Sequence, residues 1–434
     1  MDILAIPEHL LDDAPTDDRP AQTLWAKFTH IEEPQPRRRV AILDSVASEW
    51  FDDTRTPEPG WLTRLGADVG ENTSILAVPA TGLVRRQTWY QVRLGPGRVA
   101  APIHAHEVDL SRARAALQYD SMLNLPTPRP LIDLRPATRS EASRLGAAGS
   151  LTNDRDADIE VLEQLLSEVG EVTSAAVLDV GQGNWNALLR NGAPTLLLDL
   201  GGGVGAHLKT FPAGFTKFCF EELPPVVLSH WDWDHWSSAA RFPQARKLTW
   251  IVPRQGSLGP THARFLAALR VEGNVLVYPA KTTLGSTTIQ LQQAKGPASS
   301  RNETGLAALV RKGPQAILFP ADAGYGSLDL PKTLTSVVVP HHGGRSKGPK
   351  LAPPPCDGSS ASRAVLSCAR HNHYGHPTLA SKLMHESWAG PGGLLQTCNR
   401  GAGEAPGHVE LHWEPPAAPT PACCKHSALP LPQR

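Results

Sequence analysis

Residues 226–239 (VVLSHWDWDHWSSA) carry the residue types and the spacing best suited to chemistry in this chain. His230, Asp232, Asp234 and His235 follow directly on an apolar, β-branched run. Imidazole nitrogens and carboxylate oxygens bind metal ions, and four such groups this close together at the end of a strand can surround a cation. The segment therefore predicts a metal site.

Two later segments end an apolar run in a group that could join this site. Asp322 closes the run in residues 315–324, and His341 and His342 close the run in residues 336–348. Each group follows a predicted strand, as the first four do.

Asp179 and Asp199 each stand between an apolar strand and a glycine turn. An aspartate at such a place caps the turn through its own side chain. We expect both residues to lie behind the metal ligands and to support them.

The hydrophobic pattern predicts a chain in three parts. Residues 1–150 contain short β-like runs between proline and glycine turns, and predict a small β-rich or mixed domain that ends in a linker at residues 126–151. Residues 151–415 begin with an amphipathic helix and continue with strands, glycine turns and further helices. Residues 416–434 are rich in proline and alanine and predict a flexible tail.

The composition excludes several broad classes of protein. Lysine plus arginine equals aspartate plus glutamate at 42 each in 434 residues, so no overall charge attracts nucleic acid or an anionic membrane. The six cysteines are scattered, which favours a reducing compartment. No apolar run reaches the roughly 18 residues of a membrane span. The first residues, MDILAIPEHLLDD, have neither the basic head nor the apolar run of a signal peptide, so we expect none. We expect a cytoplasmic protein.

Six motifs occur along the chain in the order DVGQGN, LDLGGG, SHWDWDHW, FPAD, VPHHGG and HNHYGHP. This series resembles the metallo-β-lactamase-fold hydrolases, and most of all the soluble metallo-β-lactamase-like domain of the ComEC competence family. The resemblance runs from about residue 172 to residue 414 and does not cover residues 1–150. It implies an α/β fold, the four-layer αβ/βα sandwich, preceded here by the smaller N-terminal domain.

The resemblance also implies two divalent metal ions, zinc or manganese, with magnesium as an alternative. His230 and Asp232 would bind the first ion, and Asp234 and His235 the second. Asp322 would bridge both ions. Two ions roughly 3.5–4 Å apart lower the pKa of a coordinated water from about 15.7 toward about 7, which supplies a nucleophile without a side-chain group.

His342 would complete the second position, with His341 as the alternative ligand. Asp232 replaces a histidine of the broader superfamily, and a carboxylate there shifts the preference from zinc toward manganese or magnesium. His262 is the only histidine between His235 and Asp322 and lies on a predicted helix, so a third histidine ligand for the first ion is not expected.

Polar and cationic residues near the predicted site favour a substrate that contains phosphate. We expect Arg345, Lys347, His341 and Asn302 to contact it, with Arg301 beside Asn302. We expect His376 to contact a phosphate or to protonate the leaving group.

The tryptophans between the ligands allow two interpretations. Trp231 and Trp233 could stack on nucleobases beside the metal site, or they could belong to the core. The sequence alone does not decide between these alternatives.

Three functions are compatible with the sequence. The first is a metal-dependent phosphodiesterase, a nuclease acting on single-stranded DNA, whose catalysis depends on Asp234 and His376. The second is hydrolysis of a small ester, lactone or thioester, since one fold hosts many reactions. The third is a non-enzymatic, metal-binding component of an assembly that docks a protein partner through residues 1–150.

Overall fold

A computed structural model describes residues 16–17, 19–35, 38–53, 59–63, 72–79, 89–98, 115–119, 121–123, 127–298, 300–345, 352–356, 362–370, 372, 374–398 and 406–413. The chain divides into two compact units. The first contains Met1–Asn153 and Gly256–Val271, and the second contains Asp154–Gln255 and Glu272–Arg434. The segment Gly256–Val271 thus belongs to the first unit, although the sequence places it within the range 151–415 predicted for the hydrolase domain.

The first unit is built on a closed antiparallel barrel of six strands, in the order β2-β3-β4-β7-β8-β5. Alternate side chains point inward, and Leu24, Phe28, Leu43, Leu76 and Val92 are buried in its core. The strands of the first unit are β1 (Thr16–Asp17), β2 (Gln22–Gln35), β3 (Arg38–Ala47), β4 (Thr73–Pro79), β5 (Trp89–Leu94), β6 (Gly97–Arg98), β7 (Ala115–Tyr119) and β8 (Thr127–Pro136). Strands β1 and β6 lie outside the barrel and pair with each other.

The prediction of a linker at residues 126–151 is wrong. Strand β8 pairs with both β5 and β7, and a helix follows at Arg139–Ala148. That helix starts with a capping box, in which Thr138 and Glu141 each bind the other's backbone N–H. A proline-rich composition suggests a linker, but the Thr-x-x-Glu spacing is the stronger local signal of a helix start.

In the part of the chain that the structure describes, three helices belong mainly to each unit. They are α1 (Ser48–Asp53), α2 (Arg139–Ala148), α3 (Ile159–Glu168), α4 (Ser238–Arg241), α5 (Pro260–Glu272) and α6 (Leu379–Ala389), with 3-10 turns at Trp61–Thr63, Gly205–Thr210, Trp233–His235, Pro243–Lys247, Asn302–Thr304, Tyr325–Ser327 and Pro340–Gly343. None of the helices within the described ranges has the length and apolar character that crossing a bilayer requires.

The second unit has a mixed α/β architecture with two seven-stranded sheets. The first sheet has the order β14-β13-β12-β11-β10-β9-β22 and the second the order β15-β16-β17-β18-β19-β20-β21. These strands are β9 (Ser174–Val177), β10 (Asn186–Arg190), β11 (Ala193–Leu198), β12 (Val226–Val227), β13 (Thr249–Pro253), β14 (Asn274–Tyr278), β15 (Thr283–Gly285), β16 (Ile289–Gln293), β17 (Leu306–Lys312), β18 (Gln315–Phe319), β19 (Ser336–Val338), β20 (Arg363–Leu366), β21 (Leu394–Gln396) and β22 (Val409–His412).

The two sheets share one hydrophobic core. It contains Leu188 and Ile251 from the first sheet and Leu291, Ile317 and Val365 from the second. A second core cluster includes residues of the second sheet and of α6. Strands β11 and β18 are apolar on nearly every residue because they are covered on both faces.

Parallel pairing brings the predicted site residues to one edge of each sheet. Strands β11, β12 and β13 run parallel in the first sheet, and β18, β19 and β20 run parallel in the second. The carboxyl ends of parallel strands lie on the same side, and the loops after them form the crevice where α/β proteins bind ligands. Asp199 follows β11, His230 follows β12, and Asp322 and His342 follow β18 and β19.

Candidate metal centre

Two glycine turns hold the backbone of the ligand loop. The Asn184 N–H donates to the Asp234 carbonyl at 2.9 Å, and the Leu200 N–H donates to the His235 carbonyl at 2.8 Å. A Cβ atom on Gly201 would lie 1.6 Å from the Asp234 carbonyl oxygen, so only glycine allows this close approach. The motifs DVGQGN and LDLGGG therefore position the loop through the backbone.

Three buried imidazoles converge on the carboxylate of Asp322. Nε2 of His235 lies 3.2 Å from Oδ1 of Asp322, and Nε2 of His342 lies 3.6 Å from the same oxygen. Nε2 of His230 lies 3.7 Å from the other oxygen, Oδ2. Asp234 adds its own carboxylate, with Oδ2 at 3.3 Å from Nε2 of His342. Asp322 thus faces His230 with one oxygen and the other two histidines with its second.

Hydrogen bonds on the far side of two rings fix their tautomers. Nδ1 of His342 lies 2.7 Å from the Ser367 carbonyl oxygen, which only accepts, so Nδ1 carries a proton. Nδ1 of His235 lies 2.7 Å from Oδ2 of Asp199 and donates to that carboxylate. Both rings therefore direct Nε2 toward Asp322, as metal-binding histidines do.

Ser229 fixes the tautomer of His230 in the same manner. The Ser229 hydroxyl donates its one proton to Oδ2 of Asp199 at 2.8 Å. Its oxygen, 3.0 Å from Nδ1 of His230, is then the acceptor of that ring's proton. The Ser229 N–H also donates to Asp199, at 2.7 Å, and Asn184 donates to Asp199 at 3.0 Å. One carboxylate behind the site thus organises two of the histidines.

The unpaired atoms of this cluster fit a metal ion. Four buried atoms lack a hydrogen-bond partner: Nε2 of His230, His235 and His342, and Oδ1 of Asp322. Buried polar groups are normally satisfied, so four unsatisfied atoms facing one another require an explanation, and a metal ion is a common one. Two sets of three groups lie close enough together to hold an ion: His230, His235 and Asp322, and Asp234, His235 and His342.

The electrostatics of the cluster favour charged side chains when no metal is bound. Burial opposes charge on His235, but the carboxylates of Asp322 and Asp199 outweigh it and hold the pKa of His235 well above its ordinary value of 6.5. Burial likewise opposes charge on His342, yet Asp322 and Asp234 raise its pKa. Despite burial, the histidines lower the pKa of Asp234 to about 2 and hold that of Asp322 well below its usual range.

The backbone at the site is strained. Asp199, Ala321, His341 and His342 have φ values of 60°, 51°, 51° and 53°, in the left-handed region that non-glycine residues avoid. They make up four of the seven non-glycine residues with positive φ in the described part of the chain. Such strain persists where surrounding contacts enforce it, and it clusters at functional sites.

His341 and His342 differ in environment. His342 is buried and belongs to one of the two candidate ligand sets. The His341 side chain is 27% exposed, with Nε2 at 3.6 Å from Oδ2 of Asp322. Its Nδ1 donates to the Arg345 carbonyl at 3.2 Å, so its Nε2 carries the lone pair. This geometry favours His342 as the ligand and leaves His341 at the rim.

Asp232 lies at the edge of the cluster. Its side chain is 40% exposed, and its Oδ2 lies 3.4 Å from Nε2 of His230. Its other oxygen, Oδ1, lies 3.3 Å from Nη1 of Arg301. Asp232 is therefore close to the ligands but belongs to neither of the two sets.

The other predicted site residues occupy varied positions. Asn302 lies at the cluster and donates to Oδ2 of Asp322 at 3.1 Å. Arg345 is exposed, and Lys347 lies outside the described residues. Asp179 accepts hydrogen bonds from the backbone N–H groups of Gly181 and Gly407, and so secures the first glycine turn.

His376 lies beside the candidate centre, and its contact with a phosphate or protonation of a leaving group stays a prediction. Its ring centroid lies 5.0 Å from that of His341, close to the site. Burial lowers the pKa of His376 to about 3, helped by His341 and His342, so the imidazole is neutral at pH 7. A neutral ring can donate or accept a hydrogen bond at a substrate.

The structure decides between the two interpretations of Trp231 and Trp233 in favour of the core. Trp231 is 0% exposed and donates to the Pro253 carbonyl, and Trp233 is 6% exposed. Both rings belong to the core and offer no face to a base. In the sequence both tryptophans alternate with polar ligands, a pattern that does not indicate burial.

Sequence reasoning missed three groups that orient the site. Ser229 directly precedes His230, and this place beside a predicted ligand is the one available signal. Gln255 accepts from the Trp231 N–H and donates to the Arg301 carbonyl, across a long stretch of sequence. The Ser367 carbonyl that fixes His342 is a backbone atom, so no residue type could reveal it.

No protein-family model matches the sequence, and no curated protein matches it. Among solved structures, the chain is similar to a protein of Veillonella parvula DSM 2008 described as a possible metal-dependent hydrolase (TM-score 0.29, 9% identity, 52% of this chain and 96% of that one). It is similar to Zn(2+)-bound PqqB from Methylobacterium extorquens (TM-score 0.31, 11% identity, 51% and 97%). It is also similar to a variant of CmlA (TM-score 0.31, 11% identity, 87% and 76%), and CmlA is described as a diiron β-hydroxylase from Streptomyces venezuelae. All three are described with metals, but TM-scores this low establish no shared fold, so the functional assignment depends on the ligand geometry.

Proposed function

We propose that this protein is a metal-dependent hydrolase. The observation that carries the proposal is the convergence of four unpaired buried atoms, Nε2 of His230, His235 and His342 and Oδ1 of Asp322. The hydrogen bonds behind these histidines already select the tautomer that a metal ion needs.

Two ions would divide the ligands between them. His230, Asp232 and Asp322 would hold the first, and Asp234, His235, His342 and Asp322 the second. The first position offers one nitrogen and two carboxylates, a harder set that suits manganese or magnesium. The second offers two nitrogens and suits zinc as well as manganese.

The chemistry that such ions supply is activation of water and withdrawal of charge from the bond that breaks. The chain's own residues prepare this reaction. Asp199 and Ser367 hold the histidine rings, so little reorganisation is needed when substrate arrives. His376, neutral at pH 7, can offer or accept one hydrogen bond beside His341.

A phosphodiester is the substrate class that the rim favours. Arg301 and Asn302 lie on the ligand side of the site, His341 is partly exposed beside them, and Arg345 is exposed. Guanidinium groups recognise phosphate by charge-assisted hydrogen bonds. We propose single-stranded DNA as the polymer to test first, because the sequence motifs resemble those of a DNA-uptake family.

A small ester, lactone or thioester is the second candidate. The burial of Trp231 and Trp233 favours it, because it removes the aromatic faces that single-strand binders use. The formal net charge of zero agrees with a small substrate as well. A role for residues 1–150 in docking a protein partner stays a proposal beside either activity.

One panel of substrates tests these proposals. The full chain, loaded with Mn²⁺ or Zn²⁺, is assayed against a single-stranded oligonucleotide, bis(p-nitrophenyl) phosphate, p-nitrophenyl acetate and a lactone. We expect hydrolysis of the two phosphodiesters, abolished by Asp234→Ala and kept by Asp329→Ala, which changes an exposed carboxylate paired with Lys295. Cleavage of the acetate or lactone alone would favour the second candidate, and no hydrolysis of any substrate with either metal would contradict both.

A further inference from the structure

The short turn at Asn302–Thr304 and the residue before it, Arg301, face the candidate metal centre with two consecutive donors. Nη1 of Arg301 lies 3.3 Å from Oδ1 of Asp232, and Nδ2 of Asn302 lies 3.1 Å from Oδ2 of Asp322. Each donor therefore holds one oxygen of a different candidate ligand.

Both contacts hold a carboxylate that also faces His230. The second oxygen of Asp232, Oδ2, lies 3.4 Å from Nε2 of His230. The oxygen of Asp322 that accepts from Asn302 is the one that faces His230, at 3.7 Å. The first metal position, around His230, is thus the one on which both donors act.

The orientation of the Asn302 amide follows from its partners. Nδ1 of His341 donates to the Arg345 carbonyl, so Nε2 of His341 has a lone pair. Nδ2 of Asn302 lies 3.3 Å from that Nε2. The amide nitrogen can then give one proton to His341 and the other to Asp322, and a flipped amide would satisfy neither.

The turn itself is tied to the ligand loop. Nε2 of Gln255 donates to the Arg301 carbonyl at 2.7 Å and to the Thr304 hydroxyl at 3.0 Å. Oε1 of the same side chain accepts from the N–H of Trp231, the residue after His230. The donors and the loop that they serve therefore share one anchor.

We propose that Arg301 and Asn302 are positioning residues for the first metal position, an inference that rests on the proposed function. They hold the carboxylates of Asp232 and Asp322 toward His230, at the position for which the sequence offers no third histidine. The second position depends on Ser367, which holds His342, and on Asp199, which holds His235 directly and reaches His230 only through Ser229. Loss of either donor should therefore lower the affinity for the ion at the first position and leave the affinity for the other ion unchanged.

Calorimetric titration of the metal-free full chain with Mn²⁺ tests this inference without any assay of activity. The wild-type chain should bind two ions. Arg301→Met and Asn302→Ala should each lower the affinity for one ion by about 10–100-fold and leave the affinity for the other unchanged. Removal of supporting hydrogen bonds has an effect of this size at metal sites. Arg301→Lys keeps the charge, so its Mn²⁺ affinity should fall less than that of Arg301→Met.

Arg254→Met is the matched control. Arg254 also pairs with a carboxylate, that of Asp156, and its side chain is 25% exposed against 22% for Arg301. The Arg254→Met variant should bind both ions with wild-type affinity. Wild-type affinity for both ions in Arg301→Met and Asn302→Ala would overturn the inference alone. A wild-type chain that binds no ion would instead contradict the proposed function, and Arg301→Lys carries the test if Arg301→Met does not fold.

Discussion

Nδ1 of His235 lies 2.7 Å from Oδ2 of Asp199, and Asp199 also accepts the N–H and the hydroxyl of Ser229. This carboxylate sits behind the candidate ligands and binds none of the unpaired atoms. It determines which nitrogen of His235 faces the centre. The tautomer, and with it the ability of the ring to bind a cation, is thus set by a residue 36 positions earlier in the chain.

Asp199→Asn is expected to weaken metal binding while leaving every candidate ligand in place. The amide keeps the size of the side chain but removes the charge that holds the Nδ1 proton of His235. We expect a loss of about 10–100-fold in Mn²⁺ affinity, measured by calorimetric titration. Asp329→Asn, an exposed control, should bind as the wild type does. Equal affinity in Asp199→Asn and wild type would show that the tautomer is not set there.

Metal affinity should rise with pH over an unusually high range. The pKa values of His235 and His342 are raised in the metal-free protein by nearby carboxylates, so both rings carry two protons below those raised values. A cation needs the Nε2 lone pair and must displace one proton from each ring. Metal affinity should therefore still increase as the pH rises past 6.5, and it should level off only above the raised pKa values of the two rings.

Titration in buffers of different ionisation enthalpy measures these protons directly. We expect net proton release at pH 7 and a smaller release at higher pH. Binding without proton release at pH 7 would contradict the raised pKa values.

His341 and His342 should respond differently to removal. His342→Ala takes away a buried candidate ligand and should abolish tight binding of one ion. His341→Ala removes a partly exposed ring at the rim and should leave two bound ions, with a loss confined to turnover. Metal content after dialysis distinguishes the two variants. Loss of an ion from His341→Ala and not from His342→Ala would reverse the assignment.

The strands that carry the site could be predicted from the sequence, because each candidate ligand ends an apolar run. Asp199, His230, Asp322 and His342 all follow strands that the hydrophobic pattern indicates, and parallel pairing brings their ends together. The supporting atoms could not be predicted in the same way. The Ser367 carbonyl belongs to the backbone, and no side-chain type marks it.

One open alternative and one error of the sequence interpretation have physical causes. Trp231 and Trp233 resemble stacking residues in the sequence because they alternate with polar ligands, yet both rings are buried in the core. The prolines of segment 126–151 suggest a linker, but strand β8 accommodates them within a barrel. Composition averages over a segment, whereas one capping box or one strand pairing decides its structure.

The capping box of α2 provides a test of that corrected segment. Thr138→Ala removes the hydroxyl that accepts from the Glu141 N–H and should lower the free energy of unfolding by about 1 kcal/mol. Ser140→Ala, an exposed change in the same helix, should have a smaller effect. Chemical denaturation of the full chain measures both, and an equal loss in the two variants would contradict the cap.

The same helix start should be sensitive to acid. The hydrogen bond from Arg135, with that from the Thr138 backbone, lowers the pKa of Glu141 to about 2 from an ordinary 4.5. The contribution of Glu141 to stability is therefore complete above pH 4.5 and is lost as the pH falls toward 2. Glu141→Gln should remove this dependence between those two values, which chemical denaturation at several pH values would show.

The number of divalent ions bound by the purified full chain tests the central claim most directly. Calorimetric titration with Mn²⁺, checked by elemental analysis after dialysis, should give two ions for the wild-type chain. Asp322→Asn should lose both, because its two oxygens face His230 on one side and His235 and His342 on the other. A wild-type chain that binds no divalent ion, or an Asp322→Asn chain that binds two as tightly as wild type, would contradict the assignment of a two-metal centre.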